Sequence, residues 1–248
     1  MVFGYVSLVI PGTCRIIAGV KFPALVAGRF VRRDNRFRVI VEIAGERVAA
    51  HLPNSGRLTE LLTPNRLCWL TGFDTPRRKT RLDLTLMEYA GTLVSVDARL
   101  PNALFAEAWA TGQLEPFRGY DCVDREVRLG ESRLDFRLSG PDGVCWVEVK
   151  SVTLVEEGVA RFPDAPTARG VRHLGELASA VSKGDRAAVV FVIQRTDARC
   201  FVPHDQADVA FGVALRESAR AGVEVHAWMC QVSQRMVTMN RQIPVELA

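Results

Sequence analysis

The chain has 248 residues, 48% hydrophobic and 24% charged, an ordinary globular composition that excludes wholesale disorder, a collagen-like repeat and a small disulfide-stapled scaffold. At ~100–200 residues per domain the length suits two domains. The net charge of +4 permits an anionic partner without demanding one.

The chain begins MVFGYVSLVIPGTC, apolar but with no basic residue before the hydrophobic run, so it makes a poor signal peptide. Pro11-Gly12 also breaks any helix there. Residues 1–24 are expected to be a disordered or loosely docked extension outside the function. No apolar stretch approaches the ~20 residues needed to span a bilayer, so no membrane partner is expected.

Residues 25–98 read as short strands. Residues 37–43 and 46–52 flank Ala44-Gly45, a tight-hairpin signal. Further β-rich runs cover 66–72, 82–89 and 92–97, and residues 54–62 are long enough for one or two helical turns. About five short strands in a small domain suggest a closed or partly open barrel of the oligonucleotide-binding (OB) type.

After Leu100-Pro101-Asn102 the period changes. Asn102 can cap a helix reaching Gly112. Strands follow at 122–129, 132–138 and 144–150, separated by Gly130-Glu131 and by Gly140-Pro141-Asp142-Gly143. A helix covers 167–182, and residues 187–193 lack polar alternation and read as a strand buried on both faces. A helix near 206–221 leads to a strand at 223–228. Residues 99–248 are thus an α/β domain with helices flanking a mixed sheet.

Six scattered cysteines show no CxxC spacing and pair with none of the four histidines, so a zinc finger or ribbon is unsupported. Cysteines inside apolar runs, such as Cys68, suit a reduced, cytoplasmic protein.

The chemistry gathers at Asp135 and at Glu148-Val149-Lys150. Side chains alternate along a strand, so Glu148 and Lys150 share one face while Val147 and Val149 enter the core. A hairpin across residues 140–143 brings Asp135 beside Glu148, where two carboxylates repel each other unless a cation intervenes. Hard oxygen ligands with retained waters suit Mg²⁺ or Mn²⁺. Lys150 can orient an attacking water or offset phosphate charge, which completes the parts for metal-assisted phosphodiester hydrolysis. Glu107 on the preceding helix could add a carboxylate. The bland alternatives are a solvated cross-strand charge pattern and a surface glutamate.

In the barrel, Arg29, Arg32, Arg33, Arg36 and Arg38 interleave with Phe30 and Phe37, and Arg77, Arg78 and Lys79 form a second basic stretch. Such charges suit a nucleic-acid backbone, and no base-reading helix is evident, so non-specific DNA binding is expected. Phe30 and Phe37 read as barrel core rather than stacking faces.

Several segments, taken together, resemble the sugar fermentation stimulation protein A family: residues 126–130, 132–136, 148–154 and 162–165, Arg169-Gly170 with His173-Leu174, Gly28-Arg29-Phe30, and His51-Leu52-Pro53-Asn54-Ser55-Gly56-Arg57. The resemblance runs from about Leu25 to Pro244. It implies an OB-like barrel followed by a nuclease-like domain of the PD-(D/E)xK type, non-specific DNA binding, and a link to maltose metabolism. It also includes Arg169 and His173, which share a helix face, as phosphate or substrate contacts beside the metal. The chain departs from the family pattern at Ser55, where Thr is usual, and at Asp208-Val209-Ala210-Phe211, where Asp-Pro and an aromatic are usual. The expected protein is a DNA-binding nuclease, with a catalytically silent DNA-binding regulator of sugar metabolism and an enzyme of another phosphate ester as rivals. Homodimerisation is left open.

Overall fold

The computed structural model describes residues 8–9, 16–17, 19–74 and 80–247. The chain forms two compact units, the first of Met1–Glu107, Gln194–Asp197 and Met229–Asn240, the second of Ala108–Ile193, Ala198–Trp228 and Arg241–Ala248.

The first unit is built on β1 (Leu25–Asn35), β2 (Arg38–Ile43), β3 (Glu46–His51), β4 (Leu67–Gly72), β5 (Leu82–Tyr89) and β6 (Thr92–Ser95), followed by helix α1 (Leu100–Ala110). The sheet order is β3-β2-β1-β4-β5-β6, and a parallel contact of His51 with Asp83 joins β3 to β5 and closes the barrel. Inward positions Phe30, Val39, Val41, Ala50, Leu52, Leu70, Leu84 and Val94 fill its core. The β2–β3 turn has positive φ at Ala44 (50°) and Gly45 (85°), the backbone twist a two-residue hairpin requires.

Two expectations change here. Strand β1 was hidden in the sequence because Arg29, Arg32 and Asp34 interrupt its apolar positions and two register shifts break its alternation. Residues 54–62 form turns instead of a helix. Asn54 Oδ1 accepts from Gly56 N while Asn54 Nδ2 donates to Val96 O, and Leu58 sits at φ 52°, so side chain and backbone both leave the helical path.

Short strands precede β1 among the described residues. Leu8–Val9 pairs with Ile16–Ile17, and Val20–Lys21 pairs with residues 236–237, with Val20 buried. Val20–Lys21 thus satisfies its backbone on a neighbouring strand edge.

The second unit contains β7 (Cys122–Leu129), β8 (Ser132–Gly140), β9 (Gly143–Val152), the short β10 (Val155–Glu156) and β11 (Val159–Phe162), α2 (Ala168–Ser182), β12 (Arg186–Ile193), β13 (Cys200–Pro203) and α3 (Val209–Arg220). Strand β14 (Glu224–Val232) begins here, and β15 (Met236–Ile243) ends here. The sheet runs β7-β8-β9-β12-β14; β8–β9 is antiparallel and β9–β12 parallel. Strands β10, β11 and β13 form a smaller sheet.

Residues 187–193 are fully buried, as the unbroken apolar run requires. Helix α2 packs on β8, β9, β12 and α3. Both helices begin at one side chain. Asp208 Oδ1 accepts from Phe211 N, capping α3, and Asp208 Oδ2 accepts from the N of Thr167, the residue that caps α2.

Candidate functional site

The β8–β9 hairpin sets the site. Its register runs from Gly140↔Gly143 to Phe136↔Val147, one step short of Asp135 and Glu148. There the ladder gives way to side-chain bonding, and Asp135 Oδ2 accepts from Val149 N at 2.8 Å. On the other side of β8, Arg125 pairs with Phe136 and Val127 with Leu134, while Glu126 between them sits at φ 58°. The left-handed backbone turns Glu126 outward to an exposed ion pair with Arg133 at 3.0 Å.

Glu148 is buried, 4% exposed, between two strands and a helix. Its Oε1 accepts from Lys150 Nζ at 2.5 Å and from His173 Nδ1 at 2.5 Å. Strand alternation brings Lys150 to the same face, and the fourth position along α2 from Arg169 brings His173 down onto it. Arg169 Nε donates to His173 Nε2 at 3.1 Å. Burial alone would raise the Glu148 carboxyl, but the bond from His173 and the charge of Lys150 outweigh it and hold the group below the usual carboxylate range.

Glu148 Oε2 is buried and has no hydrogen-bond partner. A buried carboxylate oxygen left in this state is costly, and a cation is one group that satisfies it. Asp135 and Glu148 are hard oxygen donors, so the residues present fit Mg²⁺ or Mn²⁺. Among the described residues no group of three or more His, Cys, Asp or Glu is placed to hold a metal ion. A cation here would therefore take two carboxylates and keep waters, which is the habit of Mg²⁺.

Of the other chemical candidates, Glu107 lies on α1 in the first unit, where burial raises its carboxyl. Further along α2, Glu176 accepts from Glu131 N at 3.0 Å.

The basic residues of the barrel divide by what they touch. Arg33 is a tie within the fold: its guanidinium donates to the carbonyls of Gly56 (2.7 Å), Arg57 (2.9 Å) and Arg36 (2.6 Å). Arg29 donates to Asn65 O, and Arg32 pairs with Asp34 at 2.8 Å while 58% exposed. Arg36 lies over the Phe37 ring, 5.4 Å from its centroid. Arg77, Arg78 and Lys79 lie outside the described residues.

Phe30 is core, as expected, at 1% exposure, but Phe37 is 47% exposed, because it stands at the chain reversal into β2 beyond the barrel interior. A further network escaped the sequence reading. Arg99 Nη2 donates to Asp83 Oδ2 (2.9 Å) and to Asp97 Oδ2 (2.5 Å), and His51 Nδ1 lies 3.4 Å from Asp83 Oδ1. The only signal for it was His51 at the head of the segment His51-Leu52-Pro53-Asn54.

Comparison with known proteins gives a consistent result. Residues 31–96 match the SfsA N-terminal OB domain, and residues 99–236 match the sugar fermentation stimulation protein RE domain. The sugar fermentation stimulation protein homolog of Moorella thermoacetica is 49% identical over 232 residues, spanning 92% of this chain and 100% of that protein. The homolog of Desulforamulus reducens is 45% identical, spanning 92% and 95%. The structure of Pyrococcus furiosus SfsA in complex with Ca²⁺ matches with a TM-score of 0.85 at 32% identity, over 92% of this chain and 98% of that one. The fold is an OB-like barrel followed by a mixed α/β domain.

Proposed function

The chain belongs to the sugar fermentation stimulation protein family, and on that premise we propose that it binds DNA without sequence preference and hydrolyses phosphodiesters at Asp135, Glu148 and Lys150. The observation that carries the reading is the buried, unpartnered Oε2 of Glu148, whose other oxygen holds the Lys150 amine. The Ca²⁺ in the Pyrococcus furiosus relative supports a divalent cation at this fold. Asp135 and Glu148 would hold Mg²⁺ or Mn²⁺, which when bound supplies an acidified water and neutralises phosphate charge.

The chain's own residues account for the rest. The backbone N–H of Val149 fixes the Asp135 carboxylate, and His173 and Lys150 fix one oxygen of Glu148, so both acids are oriented before any ligand arrives. Lys150, 12% exposed, supplies the positive charge that meets a phosphate oxygen or aims a water. Arg169 and His173 act through Glu148, as positioning residues. Arg29, Arg32, Arg36, Arg77, Arg78 and Lys79 are retained as phosphate contacts. Five free cysteines among the described residues fit a reducing cytoplasm, and no described helix is long and apolar enough to cross a membrane.

One observation favours the silent regulator: Lys150 and His173 both serve the same oxygen of Glu148, a cluster already half satisfied without a substrate. Cleavage with Mn²⁺ of single-stranded, duplex and branched DNA and of RNA decides. The enzyme reading requires that wild type cuts at least one and that Lys150→Ala loses on the order of 10²-fold or more while still binding DNA. Binding without any cleavage by wild type establishes the regulator.

A further inference from the structure

We propose that Phe37 is a stacking platform for an unpaired base, so that the form of DNA taken by the barrel is the single strand. This rests on the DNA-binding reading above and adds a substrate form to it.

A phenyl ring at 47% exposure leaves about half its apolar surface in water, yet the backbone beneath it is pinned. Phe37 N donates to Asn35 Oδ1 at 3.0 Å, Leu52 N donates to Phe37 O at 2.9 Å, and Arg33 Nη2 donates to the carbonyl of Arg36 next door. The ring therefore stands on a rigid base, and a ligand meeting it pays little ordering entropy.

Its neighbours suit a nucleotide. The Arg36 guanidinium lies 5.4 Å from the ring centroid, and the His51 imidazole lies 6.3 Å away, tilted by 35°. Behind His51, the Asp83 and Asp97 carboxylates are buried and bonded to Arg99, whose side chain is 49% exposed. Asp34 is bonded to Arg32 and Arg38. The exposed Arg36 thus lies against an aromatic face, and the acids Asp34, Asp83 and Asp97 of the barrel are already paired with arginines. Cations give a phosphate backbone its attraction, and an exposed ring gives each base a face to stack on. Duplex DNA keeps its base faces inside its own stack, so it cannot use the ring.

The test is fluorescence anisotropy in EDTA, with a labelled oligothymidylate, an abasic oligomer of the same length and a blunt duplex. Phe37→Ala and Phe37→Leu should weaken the oligothymidylate about 5- to 100-fold and leave the abasic oligomer and duplex unchanged. Phe37→Tyr, which keeps the ring, should restore wild-type affinity. Thermal unfolding of each variant checks that the fold is intact. Equal weakening on all three ligands, or wild-type binding of oligothymidylate by Phe37→Ala, overturns the proposal alone. If wild type binds none of the three, the DNA-binding reading falls and this one with it.

Discussion

Arg169 donates through Nε to Nε2 of His173, and that contact decides which end of the imidazole carries the proton. A ring nitrogen that accepts has no hydrogen of its own, so the proton is on Nδ1 and is donated to Glu148. His173, 1% exposed, thus donates to and orients the central carboxylate.

Nitrogen NMR of the wild type should show the Nδ1–H tautomer of His173 alone, and Arg169→Ala should admit the other. His173→Ala deprives a charged acceptor of a buried hydrogen bond and should cost about 1.5–3 kcal/mol in urea unfolding. Unchanged stability would mean that Glu148 does not depend on the helix.

Asp135→Asn should weaken Mn²⁺ binding by more than about tenfold in calorimetry, because one of two carboxylate donors is lost. Asn can still accept from Val149 N, so the unfolding midpoint should move little. Equal Mn²⁺ affinity in the two proteins would place the metal elsewhere.

Arg33 and Arg36 should separate cleanly. Arg33→Ala leaves several carbonyls without their donor and should cost about 1–3 kcal/mol in urea unfolding. Arg36→Ala should leave stability within about 0.5 kcal/mol and reduce the log–log salt slope of DNA binding by about 0.7–0.9. A stable Arg33→Ala with a reduced slope would reverse the assignment.

Glu224 provides a pH test away from the site. Burial alone would raise its carboxyl, but bonds from His226 and Arg186 outweigh it and lower the group below its ordinary value. A carboxylate lowered on folding stabilises the protein above its unfolded value, ~4.3, and that stabilisation is lost as pH falls through the folded value. The melting-temperature gap between wild type and Glu224→Gln should therefore be present at neutral pH and close below about pH 4. A gap that widens in acid would contradict the lowered carboxyl.

Elements with a strong local signal were legible from the residues alone. The turn at 140–143 and the alternation of Glu148 with Lys150 foretold a hairpin carrying two acids, and the unbroken apolar run at 187–193 foretold a central strand. Illegible features depended on distant partners. Arg33 reads as one more cation until the carbonyls of residues 54–57 fold onto it, and Phe37 reads as core until the barrel closes without it. His173 was visible as a helix-face neighbour of Arg169, but its bond to Glu148, 25 residues away, exists only once α2 docks on β9. Strand β1 was masked by its own bulges.

The double cap at Asp208 has a consequence for the order in which the chain becomes competent. Synthesis delivers the hairpin bearing Asp135 and Glu148 first, then α2 with Arg169 and His173. The carboxylate that receives Thr167 N arrives 41 residues after that threonine. Until it emerges, the first turn of α2 lacks its outer anchor, and the seat of His173 against Glu148 is set only from within the helix. A nascent chain stopped short of residue 208 would hold both acids and Lys150 while lacking the anchor that settles the helix over them, so the machinery is completed last at a residue that touches none of it.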